Sequence, residues 1–468
     1  MLKMFVSMND RSSSCWKFST VAVVAFTFFF CSDRIRSVSG FRPSTLLTSS
    51  SNKIPRYGNR SLTLFSKKNI SRRKLLQVSS SVLPATVPFL NSKEAASMDT
   101  ETQKPSSINF GAKWSATDGL NSLNEKSEFV SFDMRAYKAM KEDKTRTPIF
   151  ERAISDRLGD DPEDKVVLDL GTGPYALFAL IAAQQGAGKV YAIEANPEAA
   201  ESARVFVKRS GYADVITILE GFSTEIEIPE KADFCIAEIV GSVASEEGVY
   251  ATIGDAHRHL KDPSNDRSWI PSRIQTYAAP ASYSLHNLFG PPDFDWSKLN
   301  GEPVRFSCRD KGLELLSTPK LIEDITFANI PSISNDKKSG GIHEKISFIV
   351  DENRIKENEI ALFQEFRRDN KSSVEEAGKF AEQTAHSFSG IAMWPRLILS
   401  DSIIIDSRHF GDGNHQQSHW QTVLPIMSGR PLANLIGGER IEATFNFMWP
   451  LEITQPPQYM IEGTLNYV

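Results

Sequence analysis

Glu238 and Glu247 stand nine positions apart in the run Ala237-Glu238-Ile239-Val240-Gly241-Ser242-Val243-Ala244-Ser245-Glu246-Glu247-Gly248. An apolar, strand-like stretch, Ala232-Asp233-Phe234-Cys235-Ile236, comes just before, so the run reads as a loop leaving the end of a strand. A loop of this length, with a glycine inside it, can fold back and bring both acids to one point. Two convergent carboxylates suit a planar, permanently charged fork such as a guanidinium, which takes paired hydrogen bonds. Loop glutamates are more often simply solvated, and function resides in loops that a scaffold positions. The elements upstream therefore decide.

Those elements begin with Lys165-Val166-Val167-Leu168-Asp169-Leu170-Gly171-Thr172-Gly173-Pro174. A helix-like apolar run over residues 176–183 follows, then Lys189-Val190-Tyr191-Ala192-Ile193-Glu194. The order is strand, glycine turn, helix, strand, acid. Gly171 and Gly173 let the backbone approach a ligand closely at a helix start. Glu194, ending the second strand, is placed to accept hydrogen bonds from a ribose diol. A dinucleotide site predicts a third glycine and a pyrophosphate cradle, but Pro174, Tyr175 and Ala176 follow Gly173. The same order is shared by many nucleotide binders, and by itself it leaves the ligand open.

Taken with Ser418-His419-Trp420 near the C-terminus, these segments resemble the protein arginine methyltransferases. The resemblance spans roughly residues 127–468 and rests on three separated motifs in the family's order. It implies that the first segment, with Asp169, Gly171, Gly173 and Glu194, binds S-adenosyl-L-methionine. It implies that Glu238 and Glu247 hold the substrate guanidinium, with Glu247 rather than Glu246 selected by the family spacing. His419 is then expected to orient the substrate or accept a proton, since imidazole titrates nearest the working pH. Tyr137-Lys138-Ala139-Met140-Lys141-Glu142-Asp143-Lys144-Thr145-Arg146-Thr147 is similar to the family's helix that caps the cofactor. By that match Tyr137 and Arg146 contact the cofactor, Arg146 at its methionine carboxylate, and Met140 lies beside the reacting methyl. Ser223 and Thr224 fall where the family places adenine contacts. The bland readings are a core filler for Met140, a solvated helix charge for Arg146 and a packed barrel histidine for His419. Tyr175 stands where the family usually has glycine, a departure that would crowd the cofactor.

Charge divides the chain. The first 100 residues hold fifteen Lys+Arg against four Asp+Glu, a net of +11. The remaining residues hold 38 against 54, a net of −16. An acidic body argues against a nucleic-acid binder, whose footprint is basic, and it attracts basic peptides; solubility explains it equally well. Residues 1–100 read as a targeting leader. Residues 21–31 form a short apolar core, too short for a stable membrane span. The stretch 44–68 is rich in serine and basic residues with no acid. Phe41 after small residues is similar to the bipartite plastid presequences of algae with complex plastids. Ser71-Arg72-Arg73-Lys74 resembles a twin-arginine signal for thylakoid import, so plastid localisation is expected, with the lumen as one destination. Cys235 and Cys308, the cysteines after the leader, give no disulfide framework and no metal spacing.

The expected fold class is α/β: a Rossmann-like class I methyltransferase domain followed by an all-β barrel domain with an inserted dimerisation arm. Residues 101–164 read as a linker, polar and loosely ordered to 126, then cofactor-capping helices. Residues 165–270 alternate strands and helices, the sign of a parallel sheet. Residues 271–468 show short strand-like runs between turns, with the aromatic, proline-rich stretch 288–306 as the arm and 356–382 as a charged helical insertion. His257 and His259 read as surface residues. The expected activity is methyl transfer from S-adenosylmethionine to an arginine of a protein or peptide substrate by a homodimer. The alternatives are a catalytically silent scaffold, a small-molecule methyltransferase and, more distantly, a dehydrogenase. Monomethyl, asymmetric dimethyl and symmetric dimethyl products all remain open.

Overall fold

The computed structural model describes residues 106–116, 134–292, 294–299, 301–308, 310–330, 339–368, 372–408, 419–452 and 455–468. The leader and Ser418 lie outside them. The first element corrects the linker reading. Ser107–Ser115 forms strand β1, paired antiparallel along its whole length with residues 458–466 at the other end of the chain. Ile108, Phe110, Ala112 and Trp114 alternate with polar residues or glycine, the period-2 pattern of a strand with one buried face. Phe110 and Trp114 are buried.

Two helices follow, α1 (Met134–Lys141) and α2 (Arg146–Leu158). Asp143 sits at the break between them. Its Oδ1 accepts the backbone N–H groups of Thr145 and Arg146, both at 2.9 Å, which satisfies amides left free at the start of α2.

The α/β layer comprises β2 (Val166–Leu170), α3 (Leu177–Gln184), β3 (Lys189–Glu194), α4 (Pro197–Ser210), β4 (Ile216–Glu220), β5 (Phe234–Ile236), α5 (Val249–Ala256) and β6 (Trp269–Ile270). The strands are parallel in the order β4-β3-β2-β5-β6. Every residue of β2 and β5 is buried, as expected of central strands covered on both faces. Helix α4 shows why the chain turns where it does. The Asn196 side chain accepts the amides of Glu198 and Ala199, Pro197 opens the helix, and Gly211 closes it at φ +81°. Cys235 is fully buried, a core residue as its strand context implied.

Beyond Pro271 the chain is mostly β: β7 (Arg273–Tyr283), β8 (Val304–Ser307), β9 (Leu313–Leu315), β10 (Lys320–Thr326), β11 (Ser339–Ile349), β12 (Gly390–Ser400), β13 (Ile403–Asp406), β14 (Gln421–Leu424), β15 (Arg440–Pro450) and β16 (Gln458–Asn466). These form two antiparallel sheets around a shared core instead of one continuous ladder. One has the order β1-β16-β15-β11; the other runs β10-β7-β12-β14-β8, with β13 on β12 and β9 on β7. Three helices punctuate them: α6 (Ser284–Leu288), α7 (Glu352–Arg367) and α8 (Val374–Ala385). The last two are the expected charged insertion, divided into a helix pair whose second member opens with a capping box, Ser373 and Glu376.

Two further expectations change. The stretch 288–306 is not an arm throughout. Trp296 is buried and donates its indole N–H to the Phe289 carbonyl at 2.7 Å, and residues 304–307 are strand β8. His257 and His259 are not surface residues. His259 is 1% exposed, and His257 packs on Trp269 with its Nε2 2.8 Å from the Phe327 carbonyl oxygen. Among the described residues, no helix is long and apolar enough to cross a membrane.

Candidate active site

The sequence-predicted residues collect where the parallel strands end, the crevice in which open α/β sheets bind ligands. Gly171 and Gly173, just after β2, adopt φ +68° and +67°. Only glycine takes this backbone cheaply, and the Tyr137 ring of α1 lies over Gly173, 3.5 Å from where a Cβ would stand. Asp169, at the end of β2, is buried and accepts from the Thr172 hydroxyl at 2.5 Å and the Ala179 amide at 3.1 Å. Burial pushes its carboxyl up to about 7 against these hydrogen bonds. Glu194, ending β3, accepts the Gly173 amide on one oxygen and the Asn196 amide on the other, each at 2.8 Å. Its carboxyl too is raised by burial. The Gly221 amide bonds the Glu194 carbonyl at 3.0 Å, which brings the loop with Ser223 and Thr224 beside this acid. Ser223 is buried, with its carbonyl accepting from Arg258 at 2.8 Å; Thr224 is half-buried.

Tyr175 does not lie idle in the turn. Its ring meets Phe206 of α4 edge-on at 5.1 Å, and the Lys141 ammonium sits 4.5 Å above it. The side chain thus joins the end of α1 to α4.

The paired-glutamate loop follows β5. Glu238 is nearly buried and paired with the Arg146 guanidinium through Nη1, while Arg146 Nη2 donates to the Met140 carbonyl at 2.8 Å. Arg146 is therefore a buried site residue, and Met140, half-buried, is held by its backbone against it. Among the described residues no hydrogen bond reaches the Glu247 carboxylate. Desolvation raises its carboxyl to about 8, with the charges of Glu238 and Glu246 adding to the effect and those of Arg146 and Arg305 opposing it. Glu246, by contrast, is taken: Arg305 binds both its oxygens, at 2.7 and 3.0 Å. Of the two adjacent glutamates, Glu246 is thus committed to Arg305, while Glu247, the one that the resemblance implies, has no hydrogen bond to its carboxylate among the described residues.

His419 meets this site from the far end of the chain. Its backbone N–H and its Nδ1 lie 2.9 and 3.1 Å from Asp143 Oδ2. Burial works to raise the Asp143 carboxyl, yet His419 and the amides of Arg146, Thr145 and His419 together hold it below its ordinary range. Trp420, the next residue, donates its indole N–H to the Val240 carbonyl of the glutamate loop at 2.7 Å. Asp143 and Arg305 are the site residues that sequence reasoning missed. Asp143 lay inside the segment already singled out, three residues before Arg146, but its partner is remote in sequence. No local pattern marks Arg305.

Fold and site together define a Rossmann-like α/β domain joined to a mostly β region. Residues 126–265 match the family model described as PRMT5 arginine-N-methyltransferase. A histone-arginine methyltransferase CARMER of Drosophila ananassae is 39% identical over 145 residues, 31% of this chain and 26% of that protein. The protein arginine N-methyltransferase PRMT10 of Arabidopsis thaliana is 31% identical over 155 residues, 32% of this chain and 39% of that protein. The chain thus matches well under half the length of these curated relatives. Among solved structures, the Arabidopsis thaliana protein arginine methyltransferase 10 is 18% identical, with a TM-score of 0.47, over 70% of this chain and 97% of that one. The Trypanosoma brucei PRMT1 enzyme-prozyme heterotetrameric complex with AdoHcy is 20% identical, with the same TM-score, over 66% and 87%. Over residues 126–265, the chain is thus similar to the protein arginine N-methyltransferases.

Proposed function

We propose that this protein transfers a methyl group from S-adenosyl-L-methionine to a guanidinium nitrogen of an arginine in a protein substrate. The observation that carries the reading is the convergence on one short helix break. Asp143 and Arg146, three residues apart, engage His419 and Glu238 respectively, and so bring three distant segments to one point.

The residues present fit the cofactor. Arg146 retains a buried Nε donor without a partner among the described residues, suited to a carboxylate. Glu194 stands at the strand end where a ribose diol would be received, and Gly171 and Gly173 present bare backbone beside it. Tyr137, Met140, Asp169, Ser223 and Thr224 would complete that pocket. The cofactor supplies an electrophilic methyl on a sulfonium.

The chain's own residues do the rest. Arginine stays charged near neutral pH, so the task is to orient one nitrogen and localise electron density on it. Glu238 and Glu247 would hold two edges of the guanidinium; most of the acceleration then comes from alignment and a fitted electrostatic field. The product keeps one positive charge and releases one proton, which Glu247 or His419 is placed to take. Burial makes Glu247 a proton acceptor near neutral pH, and Asp143 fixes the orientation of the His419 ring. The body's net negative charge favours basic substrates. Homodimerisation through the exposed Leu288 and Phe289 region, and plastid residence, belong to the same proposal.

Incubation with S-adenosylmethionine labelled in the methyl group and arginine-rich or lysine-substituted peptides tests the reading. Label on the arginine peptide alone is expected. Label on neither peptide, with the cofactor bound, would sink it in favour of a silent scaffold.

A further inference from the structure

Glu246 and Arg305 are not used by the mechanism above, although they adjoin it. Arg305 lies on β8 and forks onto both oxygens of Glu246, with both side chains largely buried. A buried bidentate arginine–carboxylate pair is directional as well as attractive. One oxygen of Glu246 also accepts the Val243 amide at 3.0 Å. The chain closes so tightly there that a Cβ at Gly241 would stand 2.6 Å from the Glu246 Cβ. Glu246 therefore cinches the loop on which Glu247 is the next residue.

The other end of the brace is equally defined. Strand β8 pairs with β14, Arg305 opposite Val423. Strand β14 begins directly after His419 and Trp420, and the Gln421 amide donates to the Ser242 hydroxyl at 3.1 Å. One ladder thus carries the grip on the glutamate loop, and its β14 strand starts two residues after His419.

We infer that Arg305, acting through Glu246, is a positioning residue of the guanidinium clamp, holding Glu247 in register with His419. The inference rests on the proposed arginine-methyltransferase reading and names what sets the geometry of that site. It has a signature that a merely structural role lacks. The charged groups acting on Glu247 are Glu238, Glu246, Arg146 and Arg305. Removing the Glu246 charge takes away a repulsion, so Glu247 then ionises at lower pH. Removing the Arg305 charge takes away an attraction and leaves Glu246 unpaired, so Glu247 ionises at higher pH.

The test is binding of a fluorescent arginine peptide to the full chain across pH, with its lysine counterpart as control, alongside kcat and KM for methyl transfer. For Glu246→Gln the midpoint of binding is expected to move down, and for Arg305→Met up, each by about half a pH unit or more. Arg305→Met is expected to raise KM about tenfold, with kcat lowered as well, and Arg305→Lys to restore the pH midpoint but only part of the KM, since an ammonium replaces the charge and not the fork. Unmoved midpoints, or midpoints displaced in the same direction, in variants of a wild type that prefers arginine would overturn the inference alone. A wild type that binds both peptides alike would remove the clamp itself, and this inference with it.

Discussion

Asp143 and His419 lie 276 positions apart, yet one carboxylate oxygen of Asp143 receives both the backbone N–H of His419 and the proximity of its ring nitrogen. The other oxygen opens helix α2, so the first turn of that helix and the histidine share one anchor. A carboxylate in this position fixes an imidazole in one orientation through its Nδ1. Asp143→Asn keeps the shape and loses the charge. It is expected to lower kcat by about a hundredfold, the low end of the range for general acid–base catalysis, while affinity for S-adenosylmethionine is little changed. Steady-state kinetics with separate calorimetry of cofactor binding checks this.

Glu238 and Glu247 differ in what surrounds them, and their variants should differ too. Glu238 already holds Arg146, so Glu238→Gln would disturb both the proposed clamp and the residue proposed to face the cofactor carboxylate. Glu247→Gln should leave cofactor affinity intact. Each is expected to cut methyl transfer by about a hundredfold to a thousandfold, the scale for removing one fixed electrostatic group. Only Glu238→Gln is expected to weaken cofactor binding measurably. Equal cofactor affinities in the two variants would contradict the Arg146–Glu238 link.

Peptide affinity should depend on pH through Glu247. Its carboxyl is raised to about 8 by burial, so in the empty site it is protonated below that pH. A guanidinium favours the ionised form, and binding below pH 8 must expel a proton. Affinity for an arginine peptide is therefore expected to fall as pH is lowered from 8 to 6, by up to about tenfold per unit. Calorimetry in buffers of different ionisation enthalpy measures the proton released; Glu247→Gln should abolish that release.

Part of this candidate site was legible in local order, and part came from resemblance. The family resemblance implies Glu247 rather than Glu246, and in the structure Glu246 is paired with Arg305. The turn Gly171–Gly173 and the acid Glu194 were visible because local order fixes them: strand, turn, helix, strand. Asp143 and Arg305 were not visible, because each acquires its role from a partner brought by tertiary folding. Strand β1 was misread for a different reason. The overall polarity of the region suggested a linker, while the alternation Ile108, Phe110, Ala112, Trp114 carried the contrary signal at period two. The expected exposure of His257 and His259 fails because a short helix end says nothing of the Trp269 ring and the Phe327 carbonyl that His257 meets in the fold.

Strand β1 is also mechanically connected to the glutamate loop. Trp114 stacks on Tyr459 at 5.3 Å, and the Tyr459 hydroxyl is 2.8 Å from the Ser245 hydroxyl. Trp114→Ala empties a buried indole site and is expected to cost about 3–5 kcal/mol of stability, the usual scale for losing a core tryptophan. It should also lower methyl transfer in the fraction that remains folded. Denaturant unfolding followed by activity per folded molecule separates the two effects. A loss below 1 kcal/mol would mean that β1 is not part of the core.

Behind the same loop, Glu323 of β10 accepts from the Thr276 hydroxyl at 2.5 Å, and that hydroxyl accepts the Ala244 amide at 2.9 Å. Glu323 is 1% exposed, and burial pushes its carboxyl up to about 7; Asp169, equally buried, is also raised to about 7. Between the ordinary carboxylate range near 4 and pH 7, the folded chain keeps protons on these two groups that the unfolded chain has lost. Where the folded state binds more protons, stability falls as pH rises. The unfolding free energy is therefore expected to decline from about pH 5 to pH 7 by up to about 1.4 kcal/mol per pH unit for each group, and the melting temperature to fall with it. Glu323→Gln removes one titrating group yet retains an acceptor for Thr276. It should flatten the decline and leave stability at pH 5 close to that of the wild type. Calorimetric scans at pH 5, 6 and 7 decide the matter, and parallel slopes for the two proteins would show that Glu323 is ionised in the fold.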